Sequence, residues 1–278
     1  MDEATAAVAA TYNENPLHEW NRLERDAYHT LEFTVTWHYL RKYLPAQGKV
    51  LDAGGGPGRY ALALCRSGYE VVLYDLSQGE LELAKEKFRA EPQEVQQRLS
   101  AVVQGDLRDM AEFDDRTFDA VLCLGGPLSH IPDEAGRRAA TAELVRVAKP
   151  GATACLVGVG RLAVLRWVMA HLSDDLLKPS FQRLVESGDD FGPTGSIWHF
   201  FRADELRQLA EEQGLETLAM AGCQGLSSGL DEATNAVAAD PVKWGRWVET
   251  IIRTSAEAAV VDLAEHILYV GRRREGLS

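Results

Sequence analysis

Cysteine is scarce in this chain, and the few residues present are scattered. Cys65, Cys123, Cys155 and Cys223 stand far apart in apolar surroundings. None has the short spacing of a zinc site, and the pattern reads as small buried hydrophobes in a reducing compartment. Excess positive charge is lacking too. Against 42 Asp and Glu there are 29 Lys and Arg, a formal net charge of −13, which argues against nucleic acid as a partner because phosphate binding needs a basic surface. Polybasic membrane attachment is equally unsupported, since only Arg272-Arg273-Arg274 clusters and a short basic run reads as solvated. No run reaches the roughly 18 apolar residues of a membrane span. The start, Met1-Asp2-Glu3-Ala4, is acidic and lacks the apolar core of a signal peptide. These absences lead to the expectation of a cytoplasmic protein. What remains is ordinary: 278 residues, 46% hydrophobic and 26% charged, enough for one elaborated domain with a sizeable core.

The most informative stretch is Val50-Leu51-Asp52-Ala53-Gly54-Gly55-Gly56-Pro57-Gly58-Arg59-Tyr60. It reads as a buried strand, a glycine turn and a helix ending at Gly68. Gly54, Gly56 and Gly58 at alternate positions permit positive φ and a close ligand approach. The following helix points free N–H groups and a positive dipole end over the turn, and Asp52 places a carboxylate just before it. The dinucleotide fingerprint G-x-G-x-x-G fails here, because counting from Gly54 the last position is Arg59, and counting from Gly55 the second is Pro57. The pattern that fits is D-x-G-x-G-x-G. It resembles the first motif of class I S-adenosylmethionine-dependent methyltransferases, where the acid helps hold the amino-acid end of the cofactor.

From Gly48 onward apolar strands alternate with amphipathic helices. Strands are expected at 49–53, 70–74, 101–104, 120–124 and 152–159, and helices near 59–67, 78–90, 133–148 and 203–213. Ser77 and Glu80 form an S-x-x-E capping box, and Pro150-Gly151 breaks the chain before the fifth strand. Strands apolar throughout indicate a parallel sheet covered on both faces. Residues 1–47 are aromatic-rich and read as a helical lid over the glycine turn. Asn15 caps a helix opened by Pro16, and a second runs from Tyr28 to Leu44 with Phe33, Trp37, Leu40 and Leu44 on one face. Leu31, Phe33, Val35, Trp37 and Tyr39 also alternate as in a strand, but length and the lack of turn residues favour helix. Two insertions interrupt the rhythm of a 48–278 domain. One, at about 161–200, has two helices and a loop from Gly188 to Gly195 containing Pro193. The other, at about 222–259, follows a strand at 216–221 and carries Trp244 and Trp247 on a helix. A last strand spans 266–270.

Three acids stand at successive strand ends. Asp75, 21 residues beyond Gly54, is an acceptor-only group suited to two ribose hydroxyls; the competing reading is a helix-start aspartate favoured by the dipole. Asp106, in Gln104-Gly105-Asp106-Leu107, reads as a turn residue or as a ligand contact. The resemblance implies that Asp106 receives the adenine amino group, that Leu76 and Leu107 flank the nucleoside, and that Leu124 and Gly125 after the fourth strand meet the methionine part. It further implies a doubly wound, mostly parallel seven-stranded Rossmann-like sheet, S-adenosylmethionine as cofactor and S-adenosylhomocysteine as product. On the lid, Tyr12, His18, Glu19, Trp20 and Arg22 are candidates to close over the cofactor, with Trp20 read first as core and Arg22 also as a partner for a carboxylate.

Methyl transfer asks mainly for alignment and exclusion of water, with a base where the nucleophile is weakly acidic. His130, just past the fourth strand, is the first candidate, and it reads equally well as a structural histidine. His199, in Ile197-Trp198-His199-Phe200-Phe201, is a second candidate with packing beside aromatics as its competing role. Tyr12 is the third. The Asn/Asp-Pro-Pro-Tyr/Phe signature of amino-directed nucleic-acid methyltransferases is missing, Leu124-Gly125-Gly126-Pro127 standing in its place, and no cysteine is placed as in cytosine C5 enzymes. The expected partner is a small, partly apolar acceptor in an enclosed pocket, with no metal, no nucleic acid and no membrane, and a homodimer left open. The rivals are an inactive cofactor-binding regulatory protein and an NAD-dependent oxidoreductase.

Overall fold

In the computed structural model, residues 2–191 and 197–276 are described; most of the loop expected around Pro193 therefore lies outside the described residues. Three helices come first: α1 (Glu3–Glu14), α2 (Pro16–Arg22) and α3 (Ala27–Tyr43). The alternating core follows with β1 (Lys49–Ala53), α4 (Arg59–Arg66), β2 (Glu70–Asp75), α5 (Gln78–Arg89), the single turn α6 (Gln93–Gln96), β3 (Leu99–Gln104), β4 (Phe118–Cys123), α7 (Glu134–Val147) and β5 (Ala148–Val159). Beyond it lie α8 (Arg161–His171), α9 (Pro179–Ser187), the short pair β6 (Asp189–Phe191) and β7 (Ile197–His199), α10 (Ala203–Glu212), β8 (Leu215–Gly222), α11 (Asp231–Ala238), α12 (Pro241–Thr254), α13 (Ala258–Leu263) and β9 (His266–Arg273).

Seven strands form one sheet in the order β3-β2-β1-β4-β5-β9-β8. β1 to β5 pair in parallel, while β9 runs antiparallel between β5 and β8. Because side chains alternate across a strand, neighbours enter different cores. Val50, Val71 and Leu73 pack with α3, α4 and α5 on one face, and Leu51, Val72 and Tyr74 pack with α7 and α10 on the other. Apolar runs without alternation are the consequence of burial on both faces, and each fully buried Leu, Ile or Val side chain contributes roughly 1.5–3 kcal/mol. A third, smaller core joins Val168 of α8, Leu184 of α9 and Phe200.

Local differences from the expected elements have local causes. The helix α1 was not anticipated; Asp2 caps it by accepting the Thr5 N–H at 2.8 Å, and its alanine-rich sequence favours helix. Asn15 stands at the start of α2 but makes no side-chain cap bond. Helix, not strand, is the state of α3, and its buried apolar stripe is Tyr28, Leu31, Val35, Tyr39 and Leu40; of the expected face Leu40 is buried, while Phe33, Trp37 and Leu44 are only partly so. Phe33 and Trp37 instead stack on each other at the side of that stripe, ring centroids 5.7 Å apart. Pairing of β6 with β7 was missed because three-residue strands are too short for a period to show.

Candidate active site

Between β1 and β4 the strand order reverses, so the loops leaving their carboxyl ends diverge and open a crevice. Asp52, Gly54, Gly56, Asp75, Leu76, Asp106, Leu107, Leu124 and Gly125 line it from the sheet side, and Tyr12, Arg22 and His130 close it from above. It encloses about 1160 Å³ of free space, its open mouth included. Four of the sequence-derived candidates, Gly58, His18, Trp20 and His199, stand outside this wall.

The glycine turn takes its shape from positive φ angles. Gly54 has φ +71°, its N–H donates to the Tyr74 carbonyl at 2.7 Å, and a Cβ there would stand 2.4 Å from Pro127 Cγ. Gly56, φ +54°, gives its N–H to Asp75 Oδ2 at 2.8 Å. Gly58, φ +81°, caps the start of α4, and a Cβ there would stand 3.4 Å from Ala84 Cβ and from Leu73 Cδ2; it lies between α4, α5 and β2 and not in the ligand wall where it was expected.

Around this turn the carboxyls are unevenly partnered. Asp75 is fixed by two backbone donors, Gly56 N–H at Oδ2 and Ser77 N–H at Oδ1, both 2.8 Å. Burial pushes its pKa up, and those bonds offset part of the rise. Asp52 is fully buried and neither oxygen has a hydrogen-bond partner at normal distance. Burial, tempered by the Ala61 N–H and reinforced by the Asp75 charge, pushes it up to about 7. Asp106 is taken up by Arg108, whose N–H donates to Oδ1 at 2.9 Å and whose guanidinium donates to Oδ2 at 2.6 Å. The same guanidinium reaches Asp2 at 2.7 Å and Thr5 at 2.6 Å, tying α1 over the crevice.

Arg22 lies over Gly125, its Nη2 3.5 Å from where a Gly125 Cβ would stand. Glu19 accepts from its Nε at 2.9 Å, and the buried Glu32 accepts from both terminal nitrogens. Burial alone would raise Glu32, but the Arg22 guanidinium outweighs it and brings the carboxyl down to about 2. Above the exit of β4, a one-turn 3₁₀ segment (Pro127–His130) delivers His130. Its Nε2 is 3.0 Å from the Tyr12 hydroxyl, its Nδ1 is buried without a partner, and its ring meets Trp198 edge-on at 4.1 Å. Burial drives His130 down to about 4 and Tyr12 well above the usual phenol range. Both are therefore neutral in the physiological range.

His199 does not face the crevice. Asp189 Oδ1 stands 2.7 Å from its Nδ1 and Glu205 Oε1 2.6 Å from its Nε2, so the buried imidazole is a clamp between β6, β7 and α10. Trp20 is likewise displaced: Arg59 lies 4.3 Å above its ring and Lys87 4.9 Å from it, outside the wall. His18 is exposed beside Glu19. Residues that the sequence did not single out complete the wall, namely Thr5, Val8 and Ala9 of α1, Tyr60 of α4, Glu80 of α5 and Arg108. Asn13 seats α1 by accepting the Ser77 hydroxyl and the Gly79 N–H, both at 2.8 Å. The Ala-rich run after Asp2 was the available signal for α1; nothing local marks Arg108 or Glu80.

Residues 50–151 match the family model described as a methyltransferase domain. A ubiquinone biosynthesis O-methyltransferase of Thiobacillus denitrificans is 30% identical over 207 residues, 74% of this chain and 76% of that protein. The chain belongs to the class I S-adenosylmethionine-dependent methyltransferases. A glycine/sarcosine N-methyltransferase of Aphanothece halophytica is 28% identical over 154 residues, half of this chain and 56% of that protein. The matched stretch thus spans only about half the length of one methyltransferase relative and three quarters of the other. Among solved structures, a methyltransferase of Methanosarcina mazei superposes with a TM-score of 0.59 at 22% identity, covering 85% of this chain and 97% of that one; the likeness extends to the fold. Among the described residues of this methyltransferase no helix is long and apolar enough to cross a membrane.

Proposed function

We propose that the crevice binds S-adenosylmethionine and that the chain transfers its methyl group to an oxygen or nitrogen of a small, partly apolar molecule. The observation that carries this reading is the convergence of Asp52, Asp75 and Asp106 with the Gly54–Gly56 turn on one cleft at the sheet's switch point. The residues fit the cofactor: the orphaned carboxyl of Asp52 suits a cationic group, and the bare Gly56 leaves room for close approach. Asp52 and the turn would hold the amino-acid end with Arg22, Asp75 the ribose, and Asp106 with Leu107 the adenine. Helices α1 and α2 are the lid in this reading; α3, expected within a lid of residues 1–47, packs on the sheet face and lines no part of the crevice.

When bound, S-adenosylmethionine supplies an activated methyl and leaves as S-adenosylhomocysteine. The protein's part is to align the acceptor and exclude water. Tyr12 and His130 are the polar pair offered to the acceptor. With Nε2–H donating to the Tyr12 oxygen, the Nδ1 lone pair of His130 is left as a proton acceptor; with Tyr12 donating, Nδ1 carries the orphan hydrogen. A neutral imidazole brought down to about 4 by burial is a weak base, which suits acceptors that shed their proton easily once methylated. The O- and N-methyltransferase names of the relatives are in keeping with either acceptor atom.

Titration calorimetry with S-adenosylmethionine, S-adenosylhomocysteine and NAD in parallel tests the reading. Micromolar binding of the first two, without NAD, is expected. Binding of NAD alone overturns it.

A further inference from the structure

The capping box at the start of α5 is only half made. Ser77 Oγ accepts the Glu80 N–H at 3.2 Å, but the Glu80 carboxyl does not reach back. The N–H to which it would return, that of Ser77, is already donated to Asp75 Oδ1 at 2.8 Å. Glu80 therefore stands in the crevice wall beside the glycine turn, its Oε2 3.7 Å from where a Gly56 Cβ would lie. The residue is 1% exposed and neither carboxyl oxygen has a hydrogen-bond partner. A buried polar group left so forfeits its hydration without compensation and destabilises the fold. Such a group fits a stable fold where a bound ligand supplies its hydrogen-bond partners.

We propose that Glu80 is a cofactor-contacting residue: as S-adenosylmethionine settles against the Gly56 turn, the Glu80 carboxyl releases its proton to solvent and accepts hydrogen bonds from donor groups of the cofactor. The inference rests on the cofactor reading given above. Tyr12 of α1, Glu19 of α2 and Asp75 of β2 act electrostatically on Glu80, and Arg22 of α2, Asp52 of β1, Arg59 of α4 and Arg108 are the other charged groups of the crevice wall. Burial, then the charges of Asp75 and Glu19, push Glu80 up to about 9. A cationic ligand with hydroxyl and ammonium donors reverses that balance by favouring the ionised form. At pH 8 Asp52, at about 7, is mostly ionised and His130, at about 4, is neutral. A proton released there on binding comes from Glu80.

The test is titration calorimetry of the full chain with S-adenosylmethionine and S-adenosylhomocysteine at pH 8, in Tris and in phosphate, whose ionisation enthalpies differ. At pH 8 the cofactor's α-amino group, near 8 when free, takes up roughly half a proton if it binds as the ammonium, so wild type is expected to release about one proton more per cofactor than Glu80→Gln. Glu80→Gln is expected to show only the amino group's uptake, to bind at least about tenfold more weakly, and to melt no lower than wild type without ligand. Wild-type affinity and wild-type proton release in E80Q overturn the assignment while leaving the cofactor reading intact. Should E80Q fail to fold, the wild-type proton count decides: a net uptake of roughly half a proton at pH 8, the amino group's share alone, overturns the proposal. Failure of wild type to bind either compound overturns both together.

Discussion

Asp75→Asn separates charge from shape at the heart of the crevice. The wild-type carboxylate accepts Gly56 N–H on one oxygen and Ser77 N–H on the other, each at 2.8 Å. An amide has a single acceptor oxygen. Whichever way it is turned, its NH₂ faces one of these two donors and leaves that N–H unpaired, at a cost of roughly 1–3 kcal/mol. Relief of burying a charge offsets part of this, so a net loss of about 1–2 kcal/mol is expected in urea unfolding. Cofactor binding should suffer more. A carboxylate accepts two ribose hydroxyls as charge-assisted bonds worth roughly 1.5–3 kcal/mol each, and the amide keeps one at about 1 kcal/mol. The difference, about 3 kcal/mol, corresponds to roughly a hundredfold weaker Kd for S-adenosylhomocysteine by calorimetry. An affinity within threefold of wild type would refute the ribose role. Unchanged unfolding would refute the two-donor argument.

Replacing His130 by Ala should lower kcat by roughly 10²-fold or more while cofactor Kd stays nearly unchanged; full activity would remove the histidine from the mechanism. Because burial holds His130 at about 4, the acid limb of the kcat profile should fall near pH 4 and not near the ordinary imidazole value. Glu32, at about 2 when folded against 4.5 as its ordinary value, contributes stability that is fully present above about pH 4.5 and is lost as pH falls through 2. Arg22→Met should remove most of that contribution and leave the buried Glu32 carboxyl with only His266 beside it, Nδ1 at 3.3 Å, costing roughly 3 kcal/mol in chemical unfolding. His199→Gln should lower the melting temperature by breaking the Asp189–His199–Glu205 clamp, yet leave cofactor Kd within about twofold; a large loss of affinity would return His199 to the site.

Much of the sheet was legible because its signals are local. Strands buried on both faces are apolar throughout, and β1, β2 and β4 show this within five or six residues each. The glycine turn was legible for the same reason, since positive φ at Gly54 and Gly56 is a requirement of those residues alone. Strand-end acids followed from the sheet, because parallel strands bring their carboxyl ends together whatever the helices do. Boundaries drifted by one to a few residues where a strand continued past its apolar run, as β5 does back to Ala148.

Side-chain direction was not legible, and the site depends on it. His130 and His199 both sit near strand ends in apolar company, yet one meets Tyr12 at the crevice and the other is held by two carboxylates from β6 and α10. Trp20 packs against the core beside α3 and α4, as its core reading had it, with Arg59 and Lys87 over its ring, a pairing across three helices. Glu80 reads from sequence as a helix cap; Asp75, five residues earlier on β2, takes the N–H it needed and leaves it facing the crevice. The sequence by itself determined the periods, the turn and the order of elements, since these are properties of neighbouring residues. Only the tertiary structure decided which polar groups were left without partners, since that depends on which distant donors and acceptors arrive first.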